Sequence, residues 1–234
     1  MQKSNINFAG INFDLIQKRI KNLHIRILPP DGRIKVSAPL YVSLDKILKF
    51  VSSKIDWIKS TQTKIQNQKF EPKKKFLDKE FHDFFGKKYL LNLEEGTKNL
   101  VIFDNQKIIL KIKNPSTIKK RQKILDDFYR HELKKLIPSY IKKWEEKMNL
   151  SVKEFGIKKM KTRWGTCNIR DKRIWINLEL AKKPLECLEY IVVHEMVHLL
   201  EKNHSKKFYA YMDRFLPDWK EYKKILNVIN HENF

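Results

Sequence analysis

The spacing of apolar residues in the first part of the chain predicts short strands and one amphipathic helix. Apolar stretches recur through residues 6–42, where LHIRIL and RIKVSAP flank PPDG, which predicts a hairpin with its turn at residues 30–32. After Ser43, apolar residues recur at three- and four-residue steps to about Gln66, which predicts one helix. A lysine-rich connector, residues 67–79, precedes two further segments with strand patterns, so this part is mixed and mostly β.

The pattern changes near residue 114, where we predict the boundary between two domains, residues 1–113 and residues 114–234. Residues 116–148 carry apolar positions at helical spacing, with an interruption expected at Pro138. Two strand-like segments, VKEFGIKKMKTRW and RIWINLEL, follow, and three helical segments complete the chain. These patterns predict an α+β fold: a β-rich N-terminal part with a long helix, followed by a second domain with its own helices and strands.

The charge of the chain leaves two interpretations open. Its 234 residues include 50 Lys and Arg against 27 Asp and Glu, a formal net charge of +23. Such a balance is typical of proteins that bind nucleic acid or other phosphate-bearing partners. Most of the basic residues are lysine, however, and a surplus of Lys, Ile and Asn also arises from A+T-rich coding sequence. Charge alone therefore makes a nucleic-acid partner possible without requiring one.

Cysteine content and hydropathy restrict the setting of the protein. Two cysteines, Cys167 and Cys187, cannot supply a disulfide framework for a chain of this size, which excludes a disulfide-stabilised secreted domain. Nowhere do about 18 apolar residues run together, as a membrane span requires. We therefore predict a cytoplasmic protein with no membrane partner.

The segment HEMVH, beginning at His194, carries the strongest chemical signal. His194 and His198 are four residues apart and so lie on one face of a helix, at a separation that lets two imidazoles share one Zn²⁺. Glu195 lies beside that face, where a carboxylate can act as base toward a metal-bound water without being a ligand. The pattern predicts a hydrolytic metal site.

A third histidine fits the same site. His204 follows just past the helix end expected at Asn203, so the chain can turn and bring a third imidazole to the metal. Three protein ligands leave one position open for water, which predicts one catalytic Zn²⁺ per chain. Cys167 as a fourth ligand would instead make the site closed and structural, but its neighbour Trp164 favours a packed thiol.

Several motifs occur together in an order that resembles a known family: RWGTC, RIWINLEL, VVHEMVHL, NHSKKF and PDWK. The chain resembles the YgjP-type metal-dependent hydrolases, relatives of SprT and Wss-type zincin proteases. The resemblance implies a zincin-like metallohydrolase domain with His194, His198 and His204 as metal ligands and Glu195 as the catalytic carboxylate. Thr166 stands where serine is common in the family motif, a change that leaves the metal site unaffected.

Three functions are consistent with these residues. We favour a zinc-dependent, metallopeptidase-like hydrolase that activates a metal-bound water, with the strand RIWINLEL offering its edge to an extended peptide. The resemblance also implies a nucleoside triphosphate pyrophosphohydrolase, with UTP as a candidate substrate, at the same metal site. The third function is a nucleic-acid-binding module with a structural metal. Arg163, just before the metal helix in sequence, is a candidate anchor for a substrate carboxylate or phosphate, or an ion-paired surface residue.

Overall fold

A computed structural model describes residues 2–67, 74–104, 106–113 and 116–227. Residues 68–73 of the lysine-rich connector, together with Asn105, Asn114 and Pro115, lie outside the described residues. The described chain forms two compact units, one before this connector and one that begins at Lys74. The predicted boundary between residues 113 and 114 falls inside the second unit.

The first unit is a four-stranded sheet followed by two helices. The strands have the spatial order β1-β2-β4-β3, with β2 and β4 parallel and the other pairs antiparallel. The predicted hairpin is present as β3 and β4, paired antiparallel across the PPDG turn. Alternate residues of β2 and β4 pack with Ile47, Val51 and Ile58 to form the core of this unit. The elements are β1 Gln2–Phe8, β2 Ile11–Lys18, β3 His24–Leu28, β4 Arg33–Pro39, α1 Leu44–Ser52 and α2 Ile55–Gln66.

The single helix predicted to run from Ser43 to Gln66 is wrong, because the chain divides into α1 and α2 at Ser53 and Lys54. The Ser53 hydroxyl donates a hydrogen bond to the carbonyl of Phe50 at 2.8 Å. Such a local bond competes with the backbone bonds that would continue a helix. Ser43 is the N-cap residue of α1, although its side chain makes no capping hydrogen bond.

The second unit begins with a sheet of the same topology as the first. Its order is β5-β6-β8-β7, with β6 and β8 parallel and the remaining pairs antiparallel. No repeat is visible in the sequence, so the two sheets share a path of the chain without sharing a recognisable residue pattern. The elements are β5 Glu80–Phe84, β6 Lys87–Glu95, β7 Leu100–Phe103, β8 Lys107–Ile112 and α3 Ile118–Met148.

The interruption predicted at Pro138 is wrong, because α3 is one helix of 31 residues that runs through this proline. Pro138 lies on the exposed face, where solvent can satisfy the carbonyl that loses its helical partner. The opposite face is buried along the length of the helix and packs against the core. Its buried residues are Leu125, Tyr129, Leu133, Ile137, Ile141, Trp144 and Met148.

A three-stranded sheet and three helices complete the second unit. The sheet order is β10-β11-β9, with β11 parallel to β9 and antiparallel to β10. Thus VKEFGIKKMKTRW is not the single strand predicted, because it gives β9 and then a loop that leads into β10. The α+β class is confirmed. The elements are β9 Glu154–Lys158, β10 Gly165–Asn168, β11 Arg173–Asn177, a 3-10 helix Leu178–Lys182, α4 Leu185–Val197, α5 Lys206–Phe215 and α6 Trp219–Asn227.

RIWINLEL was predicted as one strand, but β11 ends at Asn177 and a 3-10 helix follows. The Asn177 side chain accepts a hydrogen bond from the backbone N–H of Glu179 at 3.2 Å, which caps the new helix and ends the strand. Within the described ranges, no helix has both the length and the apolar character needed to cross a membrane.

Candidate metal centre and active site

Helix α4 and its C-cap residue present the first two histidines to the cleft, while most of the rest of the helix is buried. Pro184 is its N-cap residue, and nine of its residues, including Glu195, are buried. The helix ends at Val197 with His198 as C-cap, so the end predicted at Asn203 is wrong. Two 3-10-type bonds, from Leu199 N to Met196 O and from Leu200 N to Val197 O, both 2.9 Å, close the last turn. The earlier ending leaves more chain for the turn back to His204.

The structure brings the three predicted histidines together. His194, His198 and His204 each offer a ring nitrogen, and these three atoms lie within 4.8 Å of one another. The Nε2 atoms of His194 and His204 are 3.0 Å apart. Tetrahedral ligands at about 2.0–2.1 Å from Zn²⁺ lie about 3.3 Å from each other, so the separation of this pair is close to that of two ligands sharing one ion. Three convergent imidazoles fit a divalent transition metal.

An aromatic side chain supports all three imidazoles from α5. The ring centroid of Phe208 lies 5.0 Å from that of His194 and 4.7 Å from those of His198 and His204. Ser205 caps α5 by accepting a hydrogen bond from the backbone N–H of Phe208 at 3.3 Å. The residue after His204 therefore fixes both the start of α5 and the position of the supporting ring.

Hydrogen bonding orients His198, and burial favours the neutral, metal-binding form of His194 and His204. His198 Nδ1 lies 3.2 Å from the carbonyl oxygen of Glu201, which holds the ring so that Nε2 is available as a ligand. Burial, then the neighbouring His198 and His204 rings, and finally Lys223 lower the pKa of His194 to about 3. Burial is also the largest cause of the lowered pKa of His204.

Glu195 is a buried carboxylate with only 4% of its surface exposed, yet it lines the same pocket as the histidines. Among the described residues it has neither a hydrogen-bond donor nor an ion-pair partner. Burial raises the pKa of Glu195 to about 8, and the Arg163 guanidinium partly opposes this effect. An unpartnered buried carboxylate beside a metal-binding cluster is suited to exchanging a proton with a bound water.

The strand β10 forms the other side of the pocket and approaches Glu195 closely. A Cβ atom added to Gly165 would lie 2.6 Å from Glu195 Oε1 and 2.8 Å from its Cγ. Only glycine therefore lets the strand pass against this carboxylate. Gly165 is the glycine of the RWGTC motif, so its contact with Glu195 explains why this position of the motif needs glycine.

Asn177 fixes the loop that leads into β10. Its side-chain nitrogen donates to the carbonyls of Arg163 at 2.7 Å and Met160 at 3.0 Å, while its oxygen accepts from the backbone N–H of Met160 at 3.2 Å. The backbone N–H of Asn177 also donates to the carbonyl of Trp164 at 2.9 Å. With 2% of its surface exposed, Asn177 ties the loop to the end of the central strand.

Cys167 lines the pocket but lies outside the metal-binding cluster found among the described residues. Burial, with a smaller effect of Glu195, raises the pKa of the Cys167 thiol to about 12. A metal ligand must be a thiolate, so this environment agrees with a packed thiol.

The pocket that contains these groups is a cleft of about 770 Å³. Arg163, which sequence reasoning singled out, lines it together with the three histidines and Glu195. Sequence reasoning missed Asn177, Lys202, Lys223 and the supporting role of Phe208. The helices that complete the cleft were expected from apolar spacing, and the PDWK and NHSKKF motifs were the signal for Trp219 and Phe208 themselves.

This α+β unit brings three histidines together beside the buried glutamate of α4, which is the architecture of a metal-dependent hydrolase. Residues 21–228 match the family described as YgjP-like, metallopeptidase domain, and the chain belongs to this family. The family is that of metallopeptidase-like hydrolases, which implies a catalytic metal.

Two crystal structures of metallopeptidase zymogens are similar to part of the chain. Pyrococcus abyssi abylysin is 17% identical over 39% of this chain and 91% of its own, with a TM-score of 0.36. Methanocaldococcus jannaschii jannalysin is 25% identical over 40% of this chain and 97% of its own, with a TM-score of 0.35. No curated protein matches the chain.

Proposed function

We propose that the protein is a zinc-dependent peptidase in which His194, His198 and His204 hold the metal and Glu195 is the general base. The observation that carries this proposal is the unpartnered, buried carboxylate of Glu195 in the pocket formed by the three imidazoles. A zinc ion, when bound, supplies Lewis-acid activation of water and of a substrate carbonyl. Three protein ligands would leave one coordination position for this chemistry.

In this mechanism, the protein's own groups position and move protons. Glu195 accepts the proton of the attacking water and later delivers it to the departing amine, so its carboxylate is restored at the end of each cycle. The Glu201 carbonyl and the Phe208 ring hold the imidazoles in place.

The site for an extended peptide differs from the one predicted from sequence. RIWINLEL was expected to offer its edge to substrate, but β11 is the central strand and both of its edges are paired. Within the described sheet, β10 is the edge strand on the pocket side, and residues 163–167 line the cleft. We therefore assign peptide pairing to β10, whose backbone can add a substrate strand.

Arg163 is the proposed anchor for a substrate anion. It lies in the loop that Asn177 fixes, lines the cleft, and has no ion-pair partner among the described residues. Its guanidinium can bind a carboxylate through two parallel hydrogen bonds. The same property suits a phosphate, so nucleoside triphosphate hydrolysis remains the second candidate function, favoured only by the cations of the cleft.

The decisive experiment compares products from two substrate classes. Zinc-reconstituted protein is incubated with an unstructured protein such as casein and, in parallel, with each of the four nucleoside triphosphates. We expect new peptide termini in the first reaction and no pyrophosphate in the second. Pyrophosphate release without proteolysis would contradict the peptidase assignment. The Glu195→Gln protein is the control, because contaminating proteases would be unaffected by that change.

A further inference from the structure

The charged residues that line the cleft are almost all basic. Besides the histidines, they are Arg163, Lys202 and Lys223, against the single carboxylate of Glu195. The three cations come from separate elements: the loop before β10, the turn between α4 and α5, and helix α6. The cleft therefore presents positive charge to a substrate from three different elements of its wall.

None of the three cations is neutralised by the protein. Within the described ranges, Arg163, Lys202 and Lys223 form no ion pair, and all three residues are exposed. Lysines elsewhere in this unit do find acidic partners, as Lys143 does with Glu189 at 2.6 Å and Lys182 with Glu179 at 2.8 Å. The cations of the cleft are thus available to a substrate.

Lys223 is also positioned by contacts within the cleft. Its ammonium lies 5.3 Å from the ring centroid of Trp219, one turn earlier in α6. Trp219 stacks on Tyr209 at 5.6 Å and on Tyr190 at 6.3 Å, and its indole N–H donates to Asp213 at 2.9 Å. A fixed aromatic surface therefore carries Lys223 at the border of the site.

We propose that this cleft selects peptides with aspartate or glutamate side chains close to the bond that is cleaved. The proposal rests on the peptidase function proposed above and names its substrate class. Separate cations suit separate carboxylates spaced along an extended chain, whereas a triphosphate concentrates its charge in one place. The free edge of β10 provides the backbone pairing that an extended peptide needs and a nucleotide cannot use.

The charge on Lys223 can be tested with a closely matched control. Lys224 is the next residue of α6, is equally exposed, and does not line the cleft. Lys223→Glu and Lys224→Glu change the net charge of the protein by the same amount. A difference between them therefore reports position in the cleft and not the overall positive field of the chain. Lys202→Glu provides an independent second position.

The measurement is kcat/KM for quenched fluorescent peptides identical except for Asp, Asn or Lys on either side of the cleaved bond. We expect the parent enzyme to prefer the Asp peptide over the Asn peptide by about threefold to tenfold, less at high salt. Lys223→Glu should abolish or invert this preference, and Lys224→Glu should keep it. Melting temperatures of both variants verify that they fold.

The outcomes separate this inference from the function on which it rests. Equal cleavage of Asp and Asn peptides by the parent enzyme, or equal behaviour of the Lys223→Glu and Lys224→Glu proteins, would overturn the inference and leave the peptidase function intact. Absence of cleavage of every peptide, with pyrophosphate released from a nucleoside triphosphate, would overturn both.

Discussion

The two sides of the cleft differ in how their residues are held. On the histidine side, His194, His198, His204 and Phe208 fall within a short stretch of chain. The Glu201 carbonyl holds His198, the Ser205 hydroxyl caps the helix that carries Phe208, and the Phe208 ring contacts all three imidazoles. On the β10 side, the loop carrying Arg163 is held by Asn177 from another strand, and Gly165 packs against Glu195 of α4. The first side depends on local turns, and the second depends on tertiary contacts.

This difference suggests a division of roles. The histidine side supplies the three metal-binding imidazoles, whose arrangement follows from a helix, a turn and a helix cap. The β10 side positions the substrate relative to that group, so its precision depends on the packing of the whole unit. Changes on the two sides should therefore have separable effects on metal content and on substrate use.

Replacing Glu195, the residue where the two sides meet, should have the largest effect. Glu195→Gln removes the base but keeps the size of the side chain, and it should lower kcat by about 10²- to 10⁴-fold. Because Glu195 is not a metal ligand, zinc content should remain that of the parent protein. Steady-state kinetics and metal analysis of the same preparation test both statements. Loss of zinc would show that Glu195 serves the metal directly.

His204→Ala tests the histidine side alone. Groups that hydrogen-bond to a metal ligand contribute about 10- to 100-fold to metal affinity, so loss of a ligand itself should cost more than 100-fold. The fold should persist, because His204 is exposed. Zinc affinity from competition with a chelator provides the measurement, with His131→Ala, an exposed histidine of α3, as the control. Retained affinity would remove His204 from the ligand set.

Arg163 tests the β10 side. Arg163→Ala should lower kcat/KM by about 10- to 100-fold, the value of a lost charge-assisted contact of about 1.5–3 kcal/mol, with zinc content unchanged. Arg163→Lys should be impaired nearly as much, since lysine keeps the charge but not the forked geometry. Steady-state kinetics of both variants, together with their melting temperatures, distinguish a substrate anchor from a structural arginine. A large fall in melting temperature at unchanged kcat/KM would indicate a structural arginine.

A smaller effect is expected from loosening the loop through Asn177. Asn177→Ala leaves the Met160 and Arg163 backbone groups without their buried partner, which should cost about 1–3 kcal/mol of unfolding free energy. Activity should fall because Arg163 is less well placed, whereas zinc affinity should be unchanged. Urea denaturation and zinc titration measure the two quantities. Reduced zinc affinity with normal stability would show that the two sides are coupled.

The same contrast explains what the sequence could predict. Histidine spacing on a helix follows from helical geometry, so the pairing of His194 and His198 was predictable from a few residues. The approach of His204 was predictable from a turn of the chain soon after that helix ends. Asn177 reads in the sequence as one polar residue inside an apolar segment, and only the tertiary structure shows the four hydrogen bonds of its side chain. The place of β11 in the centre of its sheet depends on pairing with β9, which no local pattern encodes.

Errors at the level of single elements have a similar origin. A proline in a helix interior normally ends or kinks the helix. Helix α3 continues through Pro138 because it is long and buried on one face, so tertiary packing outweighs the local preference. Conversely, the apolar spacing from Ser43 to Gln66 is that of one helix, although the Ser53 hydroxyl binds locally and the helix divides. The α+β class was predictable because it depends on the sum of many such patterns.

Zinc K-edge X-ray absorption on protein reconstituted with one Zn²⁺ per chain tests the central claim most directly. The three-histidine site predicts only nitrogen and oxygen scatterers at about 2.0–2.1 Å, with multiple scattering from three imidazole rings and one remaining light ligand. The spectrum of Cys167→Ser protein should be identical. A sulfur scatterer at about 2.3 Å that is lost in Cys167→Ser would place a ligand on the β10 side, close the site and contradict the hydrolytic account.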